Sequence, residues 1–311
     1  MNIKKLSDIE ASPISRSKTW LNDLDIIYGK SNLSTHNIGM PKGKISLWAG
    51  ESGVGKSRLA IEVAKKFSIN YSNGVVLYFS TESPLEDFAN WAKDYQYNNN
   101  IHCSDDNKID EIIKGIYCVK PKLIFIDSVN MIEEFEIGNK KEARRLIQGV
   151  DGMPGLKKAA YDVGAHLILL GQLNQDGKTI KGGTSLPHLV DIALNVVKTD
   201  ENGVFRVEVG TKHRYGSTEN KALFRHTNDG VEEYVPYIAP TPVSAYHRIP
   251  AMTSSGTCRI DANGATIPGD PEFLEHMDNY KKSPEGQAYI KSKKGILENL
   301  NDKIGNFFGF K

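Results

Sequence analysis

Cysteine is scarce in this 311-residue chain, which has Cys103, Cys118 and Cys258 and no others. None of them belongs to a CxxC pair, so neither a disulfide framework nor a cysteine metal cage is expected, and a reducing cytoplasm fits. Long apolar runs are missing as well. The longest, such as Ala165–Leu170, fall far short of the roughly 20 residues that a membrane-spanning helix needs. The start, Met1-Asn-Ile-Lys-Lys-Leu-Ser-Asp8, has no apolar stretch behind its lysines, so no secretory signal is expected. Neither sign of charge dominates: 39 basic against 38 acidic residues leave +1. Any contact with nucleic acid must therefore come from a local patch and not from a global field. Repeats are absent too, which argues against a solenoid or propeller. What remains, 39% hydrophobic and 25% charged residues, is the composition of an ordinary globular protein long enough to bury a sizeable core.

Within that composition, short apolar runs alternate with amphipathic stretches. The runs Ile45–Ala49, Val75–Ser80, Leu123–Ile126, Ala165–Leu170 and Ile192–Val197 are nearly continuous, as in strands buried on both faces. Helical patterns lie between them, at 58–69 and at 143–163 with a break at Gly152-Met-Pro-Gly155. Strand and helix in alternation predict an α/β fold with a mostly parallel central sheet flanked by helices. After Val197 the texture changes to hairpins over Val204–Val209, Ala222–His226 and Val231–Val235, with turn signals at Asn202-Gly203 and Asp229-Gly230. The chain thus divides into an N-terminal segment, 1–40, a core over 41–235, and a proline-rich linker with a helical tail over 236–311. In the tail, Ser283-Pro-Glu285 reads as a helix start, and Leu297, Leu300, Ile304 and Phe307 make an apolar stripe that ends in Phe308 and Phe310.

Gly50-Glu-Ser-Gly-Val-Gly-Lys56-Ser57 matches the GxxxxGK(S/T) phosphate loop, and it follows a predicted strand and opens a predicted helix. Glycines let successive backbone N–H groups face phosphate, and the helix N-terminus adds its positive dipole end. Gly50, Glu51, Ser52, Gly53, Val54, Gly55, Lys56, Ser57 and Arg58 are therefore the candidate residues for binding ATP. Lys56 would reach the β and γ phosphates, and the Ser57 hydroxyl would ligate Mg²⁺. Leu123-Ile-Phe-Ile-Asp127 is an apolar run ending in a carboxylate, which makes Asp127 the second candidate for the metal. Glu82, at the end of the run that begins at Val75, is placed to deprotonate an attacking water, although Glu82 or Glu86 would equally favour the start of a helix. Gln172 follows the Ala165–Leu170 run, where its amide would sense a γ phosphate.

Five segments in order now resemble the RecA-like recombination ATPases, closest to the RadA/Sms branch. They are Ala49–Ser57, Ser80-Thr-Glu-Ser83, Ile126-Asp-Ser128, Gly171–Gly177 with Leu186-Pro-His-Leu-Val-Asp191, and Lys212-His-Arg-Tyr-Gly216. The last is similar to the KNRFG box of RadA/Sms, whose lysine and arginine extend towards ATP on the neighbouring subunit. By matching position, Lys212 and Arg214 would be catalytic groups acting in trans. The resemblance also implies two DNA-facing loops. One falls at 174–184, with Lys178 and Lys181, and the other within 130–155, where Lys140 and Lys141 cluster with Arg144 and Arg145. Departures are visible: His213 and Tyr215 replace asparagine and phenylalanine of the box, and Gln172 stands where RadA/Sms has histidine. The four-cysteine zinc module and the Lon-like domain of that branch are expected to be absent, which leaves a bare core like that of compact phage-encoded recombinases, with 1–40 a candidate subunit-linking element.

The implied function is an ATP- and Mg²⁺-dependent, DNA-stimulated ATPase of DNA recombination and repair. It would assemble as a hexameric ring or helical filament on single-stranded DNA and promote annealing, pairing or strand exchange. A DnaB-like helicase is the nearest rival, and a nucleotide-driven regulatory assembly that never touches DNA is the rival from another class. The apolar tail suits either its own core or a groove on a neighbouring subunit, a single-strand-binding protein or another replication protein. No membrane partner is expected.

Overall fold

The sequence folds around the run Ile45–Gly50, which becomes the central strand of a mixed sheet in the computed structural model. Residues 5, 14–31, 34–71, 73–92, 100–133, 140–150, 152–173 and 185–236 are described. Helix α1 (Asn22–Tyr28) precedes strand β1 (Ile45–Gly50), which leads through the glycine loop into α2 (Lys56–Asn70). Then follow β2 (Val76–Ser80), α3 (Leu85–Ala92), β3 (Ile101–Ser104), α4 (Ile109–Val119) and β4 (Leu123–Asp127). Helices α5 (Lys140–Gln148) and α6 (Leu156–Val163) lead to β5 (His166–Gln172), and α7 (Ser185–Leu189) leads to β6 (Ile192–Lys198). Strands β7 (Val204–His213), β8 (Lys221–Thr227) and β9 (Gly230–Glu233) complete the series. Among the described residues these strands form one sheet in the order β9-β8-β7-β6-β1-β5-β4-β2-β3. Pairing is parallel from β6 to β3 and antiparallel from β6 to β9.

Strand alternation divides the core into two layers. Trp48 of β1, Phe125 of β4 and Ile168 and Leu170 of β5 join Leu59, Val63 and Phe67 of α2 on one face. Leu47, Ile124, Ile126, Leu167 and Leu169 join Ile112 and Ile116 of α4, Leu146 of α5 and Leu156 of α6 on the other. With both faces covered, the central strands are mostly apolar, which is why they are legible as nearly continuous runs, and the buried polar residues Ser46 and His166 pair with each other. The helical pattern over 143–163 proves to be α5 and α6. They are separated by a tight pairing of Gly149–Val150 with Met153–Pro154, where Gly149 and Gly152 have positive φ.

Helix α1 lies within the polar N-terminal segment, yet Leu24, Ile27 and Tyr28 are buried against the first layer. The Trp48 indole N–H donates to the Tyr28 hydroxyl at 2.8 Å. By internal contacts the chain divides into units Met1–Pro236 and Tyr237–Lys311. The second unit, including the apolar tail, lies outside the described residues.

Two buried ionisable groups beside α1 and β5 oppose each other in acid. His166 donates from Nδ1 to the Pro41 carbonyl at 2.8 Å and accepts from the Ser46 hydroxyl at 2.7 Å. Burial pushes its pKa down from 6.5 to about 4. The unfolded chain therefore takes up this proton first, and stability is lost as pH falls from the ordinary imidazole range towards 4. Asp25 is buried with its carboxylate 2.6 Å from the Thr19 N–H, and burial raises its pKa from 3.8 to about 6. Here the native state holds the proton, so stability rises as pH falls below about 6. Each effect is worth about 3 kcal/mol when fully expressed, and they largely cancel. Asp25→Asn is expected to remove the compensation. Urea midpoints should then fall more steeply between pH 7 and pH 4.5 in the variant than in the wild type, and equal slopes would contradict the assignment.

Candidate nucleotide site

The phosphate loop connects the end of β1 to α2 at the carboxyl edge of the parallel strands, where ligands of open α/β sheets bind. Two of its glycines take positive-φ conformations that other residues rarely adopt, Gly53 at φ 73° and Gly55 at φ 108°. At Gly55 space is also denied, since a Cβ would fall 2.2 Å from the His226 ring. Lys56 opens α2 and turns back over the loop, where Nζ donates to the carbonyls of Gly50 (2.9 Å) and Glu51 (2.8 Å). Burial pushes the Lys56 pKa down, against the nearby charges of Asp127, Glu82 and Glu51. A buried ammonium resting on two carbonyls can exchange them for phosphate oxygens at little cost.

A cavity of about 550 Å³ opens over this loop. Ser52, Gly53, Gly55, Lys56, Ser57 and Arg58 form its floor, and Glu82, Asp127 and Gln172 stand on its walls. The sheet explains the convergence. Asp127 ends β4, Gln172 ends β5 in register with Gly50, and Glu82 follows β2, whose last residue Ser80 is level with Asp127. Glu86 falls in the first turn of α3 and not on the cavity wall, whereas Glu82 faces it. Burial raises the Asp127 pKa, opposed by hydrogen bonds from Ser57 and Tyr78 and by the Lys56 charge. The Tyr78 hydroxyl donates to Asp127 Oδ2 at 2.7 Å. The Gln172 N–H donates to Asn130 Oδ1 at 2.9 Å, which fixes the strand end.

Several lining residues are not site candidates from the sequence, although Ser80, Ser83 and Ser128 fall in segments that carry the resemblance. Ser80, Ser83, Asp87, Phe88 and Ser128 also face the cavity. Phe88 packs on Tyr78, with ring centroids 4.7 Å apart, and so places an apolar wall beside the polar floor. Ser128 Oγ is buried without a hydrogen-bond partner among the described residues, a polar atom left for a ligand to satisfy. The donor set tests the expected metal. Asp127 and Ser57 offer oxygen only, as a hard cation such as Mg²⁺ requires. That fits an ion held by one or two side chains and by substrate phosphates.

Lys212 and Arg214 lie elsewhere. Lys212 is level with Ala193, and Ala193 with Leu47, whereas the loop begins at Gly50, level with Val196. Lys212 therefore sits about 10 Å down the strands from the loop, with Arg214 farther still, at the opposite edge of the sheet. Lys212 Nζ donates to the carbonyls of His188 and Val190, both at 2.6 Å. Arg214 contacts Oδ1 of the buried Asp191 at 3.3 Å, Lys157 contacts the same oxygen at 2.8 Å, and the Ile45 N–H donates to Oδ2 at 3.2 Å. One carboxylate thus anchors the first residue of β1 and two cations. His213 takes the place of asparagine in the box: it accepts the Tyr215 N–H and donates to the Ile27 carbonyl, which ties the box to α1.

Asp191→Ala orphans the Ile45 N–H, while the half-exposed cations turn to water. A cost of about 1–3 kcal/mol is expected, read as a lower urea midpoint. Asp191→Asn, which keeps the acceptor, should lose less, and equal losses would place the effect elsewhere. Lys140 and Lys141 are exposed on the first turn of α5. Lys178 and Lys181 lie outside the described residues.

A mostly parallel sheet with a phosphate loop after its central strand and an acidic strand end beside it defines an α/β protein with a RecA-like core. No family model matches the chain. It is similar to the DNA repair protein RadA of Mycobacterium tuberculosis (strain H37Rv), 28% identical over 233 residues, which are 74% of this chain and 46% of that protein. It is likewise similar to DNA repair protein RadA of Bacillus subtilis, 26% identical over 229 residues, 73% of this chain and 47% of that protein. With that of Streptococcus pneumoniae it shares 23% identity over 252 residues, 81% of this chain and 56% of that protein. The chain is a RecA-like protein related to the RadA/Sms branch. It spans about half the length of the curated relatives it matches.

Proposed function

We propose that this chain is an ATPase of DNA recombination and repair that completes its active site only between subunits. The observation that carries this reading is the separation of its parts. The phosphate loop, Glu82 and Asp127 meet in one cavity, while Lys212 and Arg214 lie at the far edge of the same sheet. A head-to-tail contact, which closes into a ring or extends into a filament, would bring one protomer's cationic edge to the next protomer's cavity.

In this reading the loop N–H groups and Lys56 hold the β and γ phosphates of ATP, and Asp127 and Ser57 hold Mg²⁺. The metal, when bound, neutralises phosphate charge. Glu82 accepts a proton from the water that attacks the γ phosphorus, and Lys56 compensates charge on the transferred group. Gln172, at the end of β5, carries the presence of the γ phosphate into the loop that follows it. The neighbour's Lys212 and Arg214 leave His188, Val190 and Asp191 and add cationic stabilisation in trans.

Similarity to DNA repair proteins supports single-stranded DNA as the partner, bound by Lys178 and Lys181, with Lys140 and Lys141 as a second patch. Lys178→Ala with Lys181→Ala is expected to weaken single-stranded DNA binding evenly across sequences. The log–log salt slope should fall by roughly 1.4, the share of two phosphate contacts, in a fluorescence-anisotropy titration between 50 and 300 mM salt. An unchanged slope would move DNA to the α5 patch. A strand-annealing assay beside a forked-duplex unwinding assay tests the function itself: annealing without unwinding is expected, and ATP-driven unwinding would make the chain a helicase.

A further inference from the structure

The phosphate loop is wedged by a side chain from a distant strand that the chemistry above does not use. His226 of β8 lies against Phe205 of β7, with ring centroids 4.7 Å apart. Its Nε2 is 3.3 Å from the Val54 carbonyl. A carbonyl only accepts, so Nε2 carries the ring proton. Nδ1 is buried and has no hydrogen-bond partner among the described residues. Burial and the nearby Arg58 hold the imidazole pKa below its usual value, which keeps the ring neutral. The backbone behind it is fixed as well, since the His226 N–H donates to the Gly203 carbonyl at 2.8 Å and Val231 is its partner on β9. The ring fills the space beside Gly55, where a Cβ would meet Cε1 at 2.2 Å.

We propose that His226 is a positioning residue that holds the Val54–Gly55 segment in its phosphate-ready form before nucleotide arrives. This rests on reading the loop as the phosphate site. Gly53 and Gly55 give the loop wide backbone freedom, and ordering glycine is costly. A rigid ring that occupies the space beside Gly55 and bonds the preceding carbonyl removes part of that freedom in the free protein. Less ordering is then left to oppose binding. Because the loop grips the diphosphate alike in ground and transition states, the effect belongs to nucleotide affinity and not to turnover.

The test uses the full chain, calorimetric titration with MgADP, and kcat and KM for ATP hydrolysis. His226→Ala is expected to raise the ADP Kd and the ATP KM about five- to tenfold with kcat within about twofold. His226→Gln, which keeps an N–H donor, should lie within about threefold of wild type. If His226→Ala does not fold, His226→Phe carries the test: it refills the space against Phe205 but cannot donate to Val54. It should show weaker ADP binding at a wild-type melting temperature. A folded Ala or Phe variant with wild-type ADP affinity, or a loss confined to kcat, overturns the proposal. Lys56→Ala is measured alongside. If it binds ADP like the wild type, the loop is not the phosphate site and both readings fall; if it alone loses ADP while His226→Ala does not, only the His226 role falls.

Discussion

Lys56→Ala is expected to abolish ATP hydrolysis without destabilising the fold. Lys56 is 7% exposed, and its ammonium sits among Asp127, Glu82 and Glu51, with its pKa pushed down by burial. Removing it relieves a desolvated charge, so the melting temperature should stay level or rise. The cost falls on the reaction, where no other described lysine lines the cavity to meet the charge on the transferred phosphoryl group. A loss of at least 10²–10³ in kcat is the scale for one preorganised donor in a dry site. Glu82→Gln is the companion variant. Glu82 is exposed at the mouth of the loop region, so the amide should leave folding and ATP affinity within about threefold while turnover falls by roughly 10²–10⁴, the range for losing a general base. Hydrolysis by Glu82→Gln at the wild-type rate would show that another group takes the proton.

Arg214→Ala and Lys56→Ala, each inactive alone, are expected to restore activity when mixed. Arg214 sits at the edge of the sheet opposite its own phosphate loop, so a chain lacking one half still carries the other intact. In a random equimolar assembly an interface works only when an Arg214→Ala chain supplies the loop and a Lys56→Ala chain supplies the arginine. That is half of the loops meeting half of the arginines, about a quarter of wild-type activity per subunit in a head-to-tail ring. The loss in Arg214→Ala alone should reach roughly 10³–10⁵, the scale of an arginine finger. Its folding cost should be small, because the Arg214 side chain is 51% exposed and its contact with Asp191 is long at 3.3 Å. Wild-type turnover by an isolated monomer, with no recovery on mixing, would remove both cations from catalysis.

The main strands of the sheet are legible because each is buried on both faces and so reads as a bare apolar run. Strand β3 is not, since Ile101-His-Cys-Ser104 is an edge with two exposed residues at its centre and no run to recognise. Helix α1 escapes for a related reason: Asn22-Asp-Leu-Asp-Ile-Ile-Tyr28 is too short to show a period, and its place is set by Trp48 and the first core layer. At the site, the glycines, Lys56 and Ser57 are contiguous and announce themselves. Asp127, Glu82 and Gln172 stand out as candidates because each lies at the end of an apolar run, and parallel strands deliver their ends to one cavity.

Sequence alone therefore determined the α/β class and the runs that become the central strands, which depend on local periodicity, and it marked Gly50–Ser57, Glu82 and Asp127 as candidates from residues adjacent in the chain. Tertiary structure decided the rest. It put Glu82 on the cavity wall and Glu86 in the first turn of α3. It sent Lys212 and Arg214 to the opposite edge because β7 runs antiparallel to β6, so that its end lies beside the start of β1 and not beside the loop. It also brought His226, 171 residues beyond Gly55 in the chain, onto the loop backbone. Strand direction and pairing register fix which end of the sheet a residue reaches, and neither is encoded in the residue's own neighbours.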